Sequence, residues 1–271
     1  GRITLDQLRA GPTQIKNAIQ RLLSDGVKLV IVDISEQDDL KQICLGLSES
    51  DLRILWVGST GLAEFIPLSL GVTHKPNTFK EDHVLDPRPA LALVGSASET
   101  TRAQLHYAEK NNGLNIIHLD PAHVIQNGRS SAAELEQALS QVRAALDTGH
   151  DAALAVRASR EEIAATQQLG ASMNLSPAQV AQRIVEALAQ AGGRLVREGR
   201  VSGIGATGGD TANALCNVLG AQGLEILGEV EAGIPVMRVL GEQSLPLVTK
   251  AGGFGSPAAI EDALLKVKQY A

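Results

Sequence analysis

Short apolar runs alternate along the chain with stretches that carry apolar residues at helical spacing. Val27 to Ile34 is apolar except at Lys28 and Asp33, which is typical of a strand buried in a parallel sheet. Thr13 to Leu23 has apolar residues three and four positions apart, which predicts a helix. Leu52 to Val57 again has the pattern of a strand. This alternation indicates βαβ units, so we expect parallel strands joined by right-handed crossovers.

The alternation breaks between Val72 and Pro89, where prolines and polar residues replace the apolar runs. Segments of this kind are typical of domain boundaries. We therefore predict an α/β protein with two parallel-sheet domains of three layers each. Residues 1–75 belong to the first domain, residues 76–89 form a linker, and residues 90–271 form the second domain.

A glycine-rich stretch in the second predicted domain separates a strand pattern from a helix pattern. It follows the apolar residues Val201 and Ile204. From Gly205 to Gly209 most of its residues are glycine or alanine, and a predicted helix follows from Ala212. Leu247 to Pro257 repeats this order of features.

In the second stretch a short apolar strand leads into Lys250, three glycines and Ser256-Pro257. Ser256 suits the N-cap of the following helix and Pro257 its first turn. If the two strands share a parallel sheet, both loops lie at its carboxyl edge, where such sheets bind ligands.

Both glycine loops are candidates for a phosphate site. Glycine permits positive φ and a close approach of ligand to backbone, and a helix start offers unpaired N–H groups and the positive end of the helix dipole. The alternative is a pair of tight turns with no ligand. Neither loop has the glycine and Lys-Ser or Lys-Thr spacing of a P-loop, so we expect a nucleotide site of another kind.

Three charged residues stand beside these predicted loops and strand ends. Asp210 could accept the proton of an attacking hydroxyl or hold Mg²⁺, or it could cap the following helix. Lys250 could pair with a phosphate oxygen, or it could be a surface lysine at a strand end. Asp33 could bind a ligand hydroxyl or cap the next helix.

Composition narrows the class of partner. Apolar residues make up 44% of the 271 residues and aromatic residues only 2%, so the cores must be aliphatic and rich in alanine. The net charge of −6 argues against nucleic acid and anionic membranes as partners. The two cysteines suggest no disulfide and fit a reducing cytoplasm. No apolar run reaches the length of about 18 residues that a membrane span requires.

Six motifs, taken together and in order, resemble those of the four-carbon acid sugar kinase family. They are Val32-Asp33 with Asp39-Leu40, Gly58-Ser-Thr-Gly-Leu-Ala63, Gly95-Ser-Ala-Ser98, Thr207-Gly-Gly-Asp-Thr211, Gly233-Ile-Pro235 and Lys250-Ala-Gly-Gly-Phe-Gly255. The resemblance implies an N-terminal sugar-acid-binding domain, of which residues 1–75 would be the C-terminal part, and a C-terminal nucleotide-binding domain. It implies an ATP-dependent kinase that phosphorylates threonate, erythronate or 3-oxo-tetronate on a terminal hydroxyl.

The resemblance also implies roles for individual residues and partners. ATP would contact Ser96, Gly208, Gly209, Asp210, Thr211, Gly252, Gly253, Phe254 and Gly255. Asp210 and Lys250 are the catalytic candidates, with Asp210 also the candidate ligand of Mg²⁺, and Asp33 and Ser59 would lie on the sugar-acid side. The family's opening Asp-Asp-x-Thr-Gly-Ala-type segment is absent, so we expect an upstream segment of the same protein to complete the substrate site. A homodimer is a further partner that this interpretation allows.

Two other functions stay open from the residues alone. One is a non-catalytic module that binds a nucleotide or another metabolite. The other is an NAD-dependent oxidoreductase, because Gly203, Gly205 and Gly208 have the spacing of a dinucleotide fingerprint. A dinucleotide site also has an acidic residue at the end of a strand about 20 residues later, within a βαβ unit. No residue clearly meets this requirement, although Glu229 or Glu231 could be assigned that role.

Overall fold

A computed structural model describes residues 1–48, 50, 52–72, 85–126 and 128–271. The chain divides into two compact units, Gly1–Lys80 and Glu81–Ala271. Most of the predicted linker, 76–89, lies outside the described residues.

The described residues form strands and helices that are numbered here in chain order. The strands are β1 (Arg2–Ile3), β2 (Ile31–Val32), β3 (Leu91–Val94), β4 (Asn115–Leu119), β5 (Ala152–Val156), β6 (Ile204–Thr207), β7 (Gly223–Glu231), β8 (Ile234–Leu240) and β9 (Pro246–Lys250). The helices are α1 (Leu5–Arg9), α2 (Pro12–Ser24), α3 (Gln37–Leu47), α4 (Thr60–Ser69), α5 (Glu99–Asn112), α6 (Pro121–Val124), α7 (Gly128–Asp147), α8 (Arg160–Ser172), α9 (Pro177–Arg197), α10 (Gly209–Val218) and α11 (Ala259–Gln269).

The first unit packs four helices beside a short parallel pair of strands. β1 pairs with β2, with Ile3 opposite Val32. The apolar stripes of the helices meet in one core, which contains Ile3, Leu8, Ile15, Ile19, Ile43, Cys44, Leu47 and Leu62. Burial of these aliphatic side chains stabilises the unit.

Two strand predictions in this unit need correction. The strand predicted for Val27 to Ile34 is reduced to β2, and Leu52 to Val57 forms no strand. A strand needs a neighbour to receive its backbone hydrogen bonds. Among the described residues no strand lies beside 52–57, and Leu55 and Val57 are 89% and 85% exposed.

The second unit is built on a seven-stranded sheet in the order β4-β5-β3-β6-β9-β8-β7. β4, β5, β3, β6 and β9 run parallel to one another, whereas β8 and β7 form an antiparallel hairpin at one edge. The α/β fold class predicted from the sequence is confirmed, with the antiparallel hairpin as a departure from a wholly parallel sheet.

Helices cover both faces of this sheet because successive strand residues point to opposite sides. Leu91 and Leu93 pack into a core with residues of α7, α9 and α10, while Ala92 and Val94 pack into a second core with residues of α5 and α11. The second unit therefore has three layers.

The three central strands end at the same level. Val94 of β3 lies beside Thr207 of β6, which lies beside Lys250 of β9. The loops that follow these three strands consequently leave from one edge of the sheet.

Candidate nucleotide site

The loop after β6 is shorter than the sequence pattern indicates. Gly205 and Ala206 belong to β6 and are buried, and α10 begins already at Gly209 rather than at Ala212. Small residues fit here because the strand packs between two helical layers. Gly208 alone makes the turn, at φ +93°, a backbone conformation that favours glycine.

The start of α10 is not capped by a side chain. Ala212 donates its N–H to the Gly208 carbonyl at 3.1 Å. The N–H groups of Gly209, Asp210 and Thr211 donate to no group among the described residues. Unpaired N–H groups at a helix start carry partial positive charge, so this turn can bind an anion.

Asp210 lies on the first turn of α10 with an exposed side chain that has no hydrogen-bond partner within the described ranges. The N-cap is Gly208, so the alternative of Asp210 as a capping residue is wrong. The side chain lines a groove of about 370 Å³ between α9 and α10, together with Gln190 and Asn213. A free carboxylate beside unpaired N–H groups suits a metal ion or a proton transfer better than a structural role.

The loop after β3 packs tightly against the start of α10. Thr211 is 1% exposed. A Cβ added to Gly95 would lie 2.2 Å from its Oγ1, so only glycine fits there without movement. The contact that the sequence predicts between Thr211 and a nucleotide stays a prediction.

The side-chain ammonium group of Lys250 binds carbonyl oxygens of the loop that follows β9. Its Nζ donates to the carbonyl oxygens of Ala251 at 3.0 Å, Gly252 at 3.2 Å and Phe254 at 3.0 Å. Lys250 is 4% exposed, so the alternative of a surface lysine is wrong. Burial lowers the pKa of Lys250, and the nearby Glu231 carboxylate opposes that shift. A direct contact between Lys250 and phosphate stays a prediction. The three bonds from Nζ to loop carbonyls favour a role in holding the loop.

Three side chains near the start of α5 also bind carbonyl oxygens of this loop, including two that accept from Lys250. Ser98 Oγ and Thr101 Oγ1 donate to the Gly252 carbonyl at 2.6 and 2.9 Å. Gln104 Nε2 lies within hydrogen-bond distance of three loop carbonyls, those of Phe254, Gly255 and Ser256. Ser98 also caps α5 by accepting the N–H of Thr101.

Thr101 and Gln104 were not among the site residues predicted from the sequence. Both are buried polar residues on the stripe of α5 that also carries Leu105 and Ala108. Polar residues at core positions of a helix were the available signal, since a buried polar group needs a partner.

Ser96 and the outer end of the β9 loop complete the arrangement. A Cβ on Gly252 would lie 2.2 Å from Ser96 Oγ, so the loops after β3 and β9 are in close contact. Phe254 is 44% exposed. Ser256 does not cap α11, whose N-cap is Ala258. Instead its N–H and Oγ donate to the Glu231 carboxylate at 2.8 and 2.5 Å.

The predicted substrate residues lie in the first unit. Arg2 donates to both oxygens of Asp33, at 3.0 Å from Nε and 2.7 Å from Nη2. Asp33 does not cap the next helix, because the N-cap of α3 is Glu36. Ser59 is the exposed N-cap residue of α4, and its hydroxyl makes no capping bond. Binding of a sugar acid by Asp33 and Ser59 stays a prediction.

The dinucleotide fingerprint does not have the required geometry. Gly203 and Gly205 are buried and lie before and within β6, and only Gly208 stands in the turn. A Cβ on Gly203 would lie 2.7 Å from Val267 Cβ, so this glycine serves packing against α11. The described residues also hold no group of three or more His, Cys, Asp or Glu side chains placed to bind a metal.

Comparisons with known proteins match two domains in succession along the chain. A nucleotide-binding C-terminal domain matches residues 91–260, and a sugar-binding N-terminal domain matches residues 1–66. The D-threonate kinase of Salmonella typhimurium is 29% identical over 248 residues, which cover 91% of this chain and 56% of that kinase. The 3-oxo-tetronate kinase of Pseudomonas savastanoi pv. phaseolicola is 30% identical over 264 residues, which cover 94% and 56%.

A solved structure shares the fold. A Salmonella typhimurium LT2 protein described as a putative tRNA synthase superposes with a TM-score of 0.73 at 21% identity, over 98% of this chain and 60% of that one. The chain spans little more than half the length of the curated relatives it matches. In the part of the chain that the structure describes, no helix is long and apolar enough to cross a membrane.

The fold and the matched domains together define the class of protein: a nucleotide-binding α/β domain follows a sugar-binding domain. Since the nucleotide-binding domain covers more than half of the chain, the chain belongs to the four-carbon acid sugar kinase family. The family resemblance of the sequence motifs is confirmed.

Proposed function

We propose that this chain is part of an ATP-dependent kinase that transfers a phosphoryl group to the terminal hydroxyl of a four-carbon sugar acid. The observation that carries the proposal is the meeting of three loops at one sheet edge, with unpaired N–H groups on at least two of them. The kinase names of the relatives, which include threonate and 3-oxo-tetronate kinases, support the substrate class.

Phosphoryl transfer requires in-line positioning and neutralisation of charge more than covalent help from the protein. The N–H groups of Gly209 and Gly253 would donate to phosphate oxygens, and they lie in loops that follow adjacent parallel strands. Asp210, whose carboxylate has no partner among the described residues, would hold Mg²⁺ or accept the proton of the attacking hydroxyl. A single carboxylate fits Mg²⁺, because this ion takes most of its remaining ligands from phosphate and water. Bound Mg²⁺ would supply positive charge to the phosphate oxygens.

The substrate side of the proposal rests on Asp33 and Ser59. The exposed Ser59 hydroxyl at the start of α4 is available as a donor. Arg2, ion-paired with Asp33 and largely exposed, adds a positive group that suits a sugar carboxylate.

Gly209→Val tests the phosphate site with little risk to the fold. Apart from its chain neighbours and the backbone of its own helix, a Cβ on Gly209 would meet no atom of the described residues within 4 Å, and the residue does not have positive φ. The isopropyl group would therefore occupy the space proposed for phosphate. Isothermal titration with Mg·ATP should detect binding to the wild-type protein and not to Gly209→Val.

Gly223→Val, at the start of β7, is the matched control, because within the described part of the chain its Cβ would make one ordinary contact, at 3.8 Å from Leu240 Cδ1. It should bind Mg·ATP like the wild type. Equal affinity of Gly209→Val and wild type would remove the phosphate site from this turn.

The two alternative functions give different results in simple assays. A thermal-shift comparison of ATP, ADP and NAD should show stabilisation by the adenine nucleotides and not by NAD, since the turn lacks the dinucleotide fingerprint geometry. A non-catalytic module would bind ATP and release no ADP in the presence of threonate or erythronate.

A further inference from the structure

We propose that Lys250 is a positioning residue, and that together with Ser98, Thr101 and Gln104 it forms a clamp that sets the direction of the peptide groups in loop 251–256. The ligand part of this inference rests on the proposed function. The structural part concerns the loop alone and holds or fails without any nucleotide.

All donors of Lys250 are engaged inside the protein. An ammonium group has three N–H donors, and Nζ of Lys250 faces the three carbonyl oxygens of Ala251, Gly252 and Phe254 at 3.0–3.2 Å. The side chain is 4% exposed. A lysine in this arrangement holds the loop and has no donor left for a phosphate oxygen.

Gln104 repeats this pattern without a charge. It is 1% exposed, and its Nε2 reaches the carbonyl oxygens of Phe254 at 3.0 Å, Gly255 at 3.2 Å and Ser256 at 2.8 Å. Three acceptors around one atom fix the orientation of the amide, because the opposite orientation would place Oε1 against three carbonyls.

The clamp determines where the loop N–H groups point. In a trans peptide the C=O and the following N–H point in opposite directions. With the carbonyls of Ala251, Gly252 and Phe254 turned towards Lys250, the N–H groups of Gly252, Gly253 and Gly255 point away from it. None of these three N–H groups has a partner in the part of the chain that the structure describes.

The peptide N–H of Phe254 does not point away from Lys250 in this way. The peptide N–H of Ser256 shows what kind of group the N–H side of the loop can bind. Phe254 donates its N–H to the Ala251 carbonyl at 3.1 Å, so this single peptide is reversed. The Ser256 N–H, whose peptide carbonyl is held by Gln104, donates to the Glu231 carboxylate at 2.8 Å. A carboxylate of the chain itself is therefore bound on the side where the three free N–H groups point.

The test compares Lys250→Met, which removes donors and charge, with Gln104→Met, which removes donors only. Lys110→Met, on the exposed face of α5, is the control for loss of a lysine. Isothermal titration should show that both clamp variants weaken binding of Mg·ADP by about tenfold or more. Their affinity for adenosine, which lacks phosphate, should match that of the wild type and of Lys110→Met.

A second measurement needs no nucleotide. Phe254 is a chymotrypsin site within the clamped loop, and cleavage after it releases residues 255–271, which mass spectrometry identifies. Both clamp variants should be cleaved there about tenfold faster than the wild type, because the loop opens more often. Thr101→Val, which removes one donor to the Gly252 carbonyl, should act in the same direction and replaces Lys250→Met if that variant does not fold.

The outcomes separate this inference from the proposed function. If Lys250→Met alone weakens Mg·ADP binding while Gln104→Met binds normally and neither is cleaved faster, Lys250 is a direct phosphate ligand and the clamp is refuted. If the wild type binds no nucleotide, the proposed function fails. The cleavage rates then still decide the clamp, with equal rates in all variants overturning it.

Discussion

Gly95→Ala tests how tightly the loop after β3 packs against the start of α10. The added Cβ would lie 2.2 Å from Thr211 Oγ1 and 3.3 Å from Leu188 Cδ1, where ordinary Cβ contacts begin at 3.4 Å. Gly95 does not have positive φ, so its backbone accepts alanine and the cost is steric. Over-packing of this size costs about 1–3 kcal/mol of unfolding free energy.

A second substitution identifies the atom responsible. Thr211→Ala removes Oγ1 and leaves Thr211 Cβ as the nearest atom of that residue, at 3.5 Å, an ordinary contact. The double variant should therefore be more stable than the sum of the single effects by about 1 kcal/mol or more.

Urea unfolding of the four proteins, followed by circular dichroism, measures this coupling. The helices of the second unit dominate that signal, whereas Trp56 reports on the first. Additive effects within about 0.5 kcal/mol would show that Gly95 and Thr211 are not in the contact described, and would refute the tight packing of these loops.

Two further predictions concern single carboxylates. Asp39 accepts hydrogen bonds from the Arg9 side chain and from two backbone N–H groups. These bonds hold the pKa of Asp39 well below its usual value. The stability it contributes is therefore complete above the unfolded pKa of about 3.9 and is lost as pH falls below it. Asp39→Asn should have a lower urea midpoint than wild type at pH 7, by Trp56 fluorescence, and the difference should shrink towards pH 2. Asp210→Asn should change nucleotide affinity by less than about tenfold and lower turnover by about 10² or more in a coupled ADP assay, whereas unchanged turnover would leave Asp210 no catalytic role.

The predictable part of the fold is the part that local pattern determines. α2, at Pro12–Ser24, coincides with the helix predicted from Thr13 to Leu23, because its apolar residues recur at helical spacing and Ile15 and Ile19 are buried. The run 52–57 has an apolar strand pattern and forms no strand, since pairing depends on a neighbour that local pattern does not specify. α8 was not predicted, because its buried residues are Thr166 and Gly170 and give no apolar stripe.

The candidate site likewise has one part that the sequence predicts and another that it does not. The glycine loops are visible in the sequence because the need for glycine is a local property of the backbone. The bond from Gln104 to Phe254 joins residues 150 positions apart, so no local pattern reveals it. The burial of Lys250 is likewise a consequence of its place at the end of a central strand, with Thr207 beside it.

Charge at this sheet edge has a consequence for the kind of anion that the site favours. The chain has a net charge of −6, and the donors of the buried Lys250 are all taken by loop carbonyls. Attraction for an anion therefore comes from backbone N–H groups, which carry only partial charges. The exposed carboxylate of Asp210 on the first turn of α10 repels a free anion at the same place. Under the proposed function, these two features together favour a phosphate chain that carries Mg²⁺ over inorganic phosphate, because only the metal complex turns the Asp210 charge from repulsion into attraction.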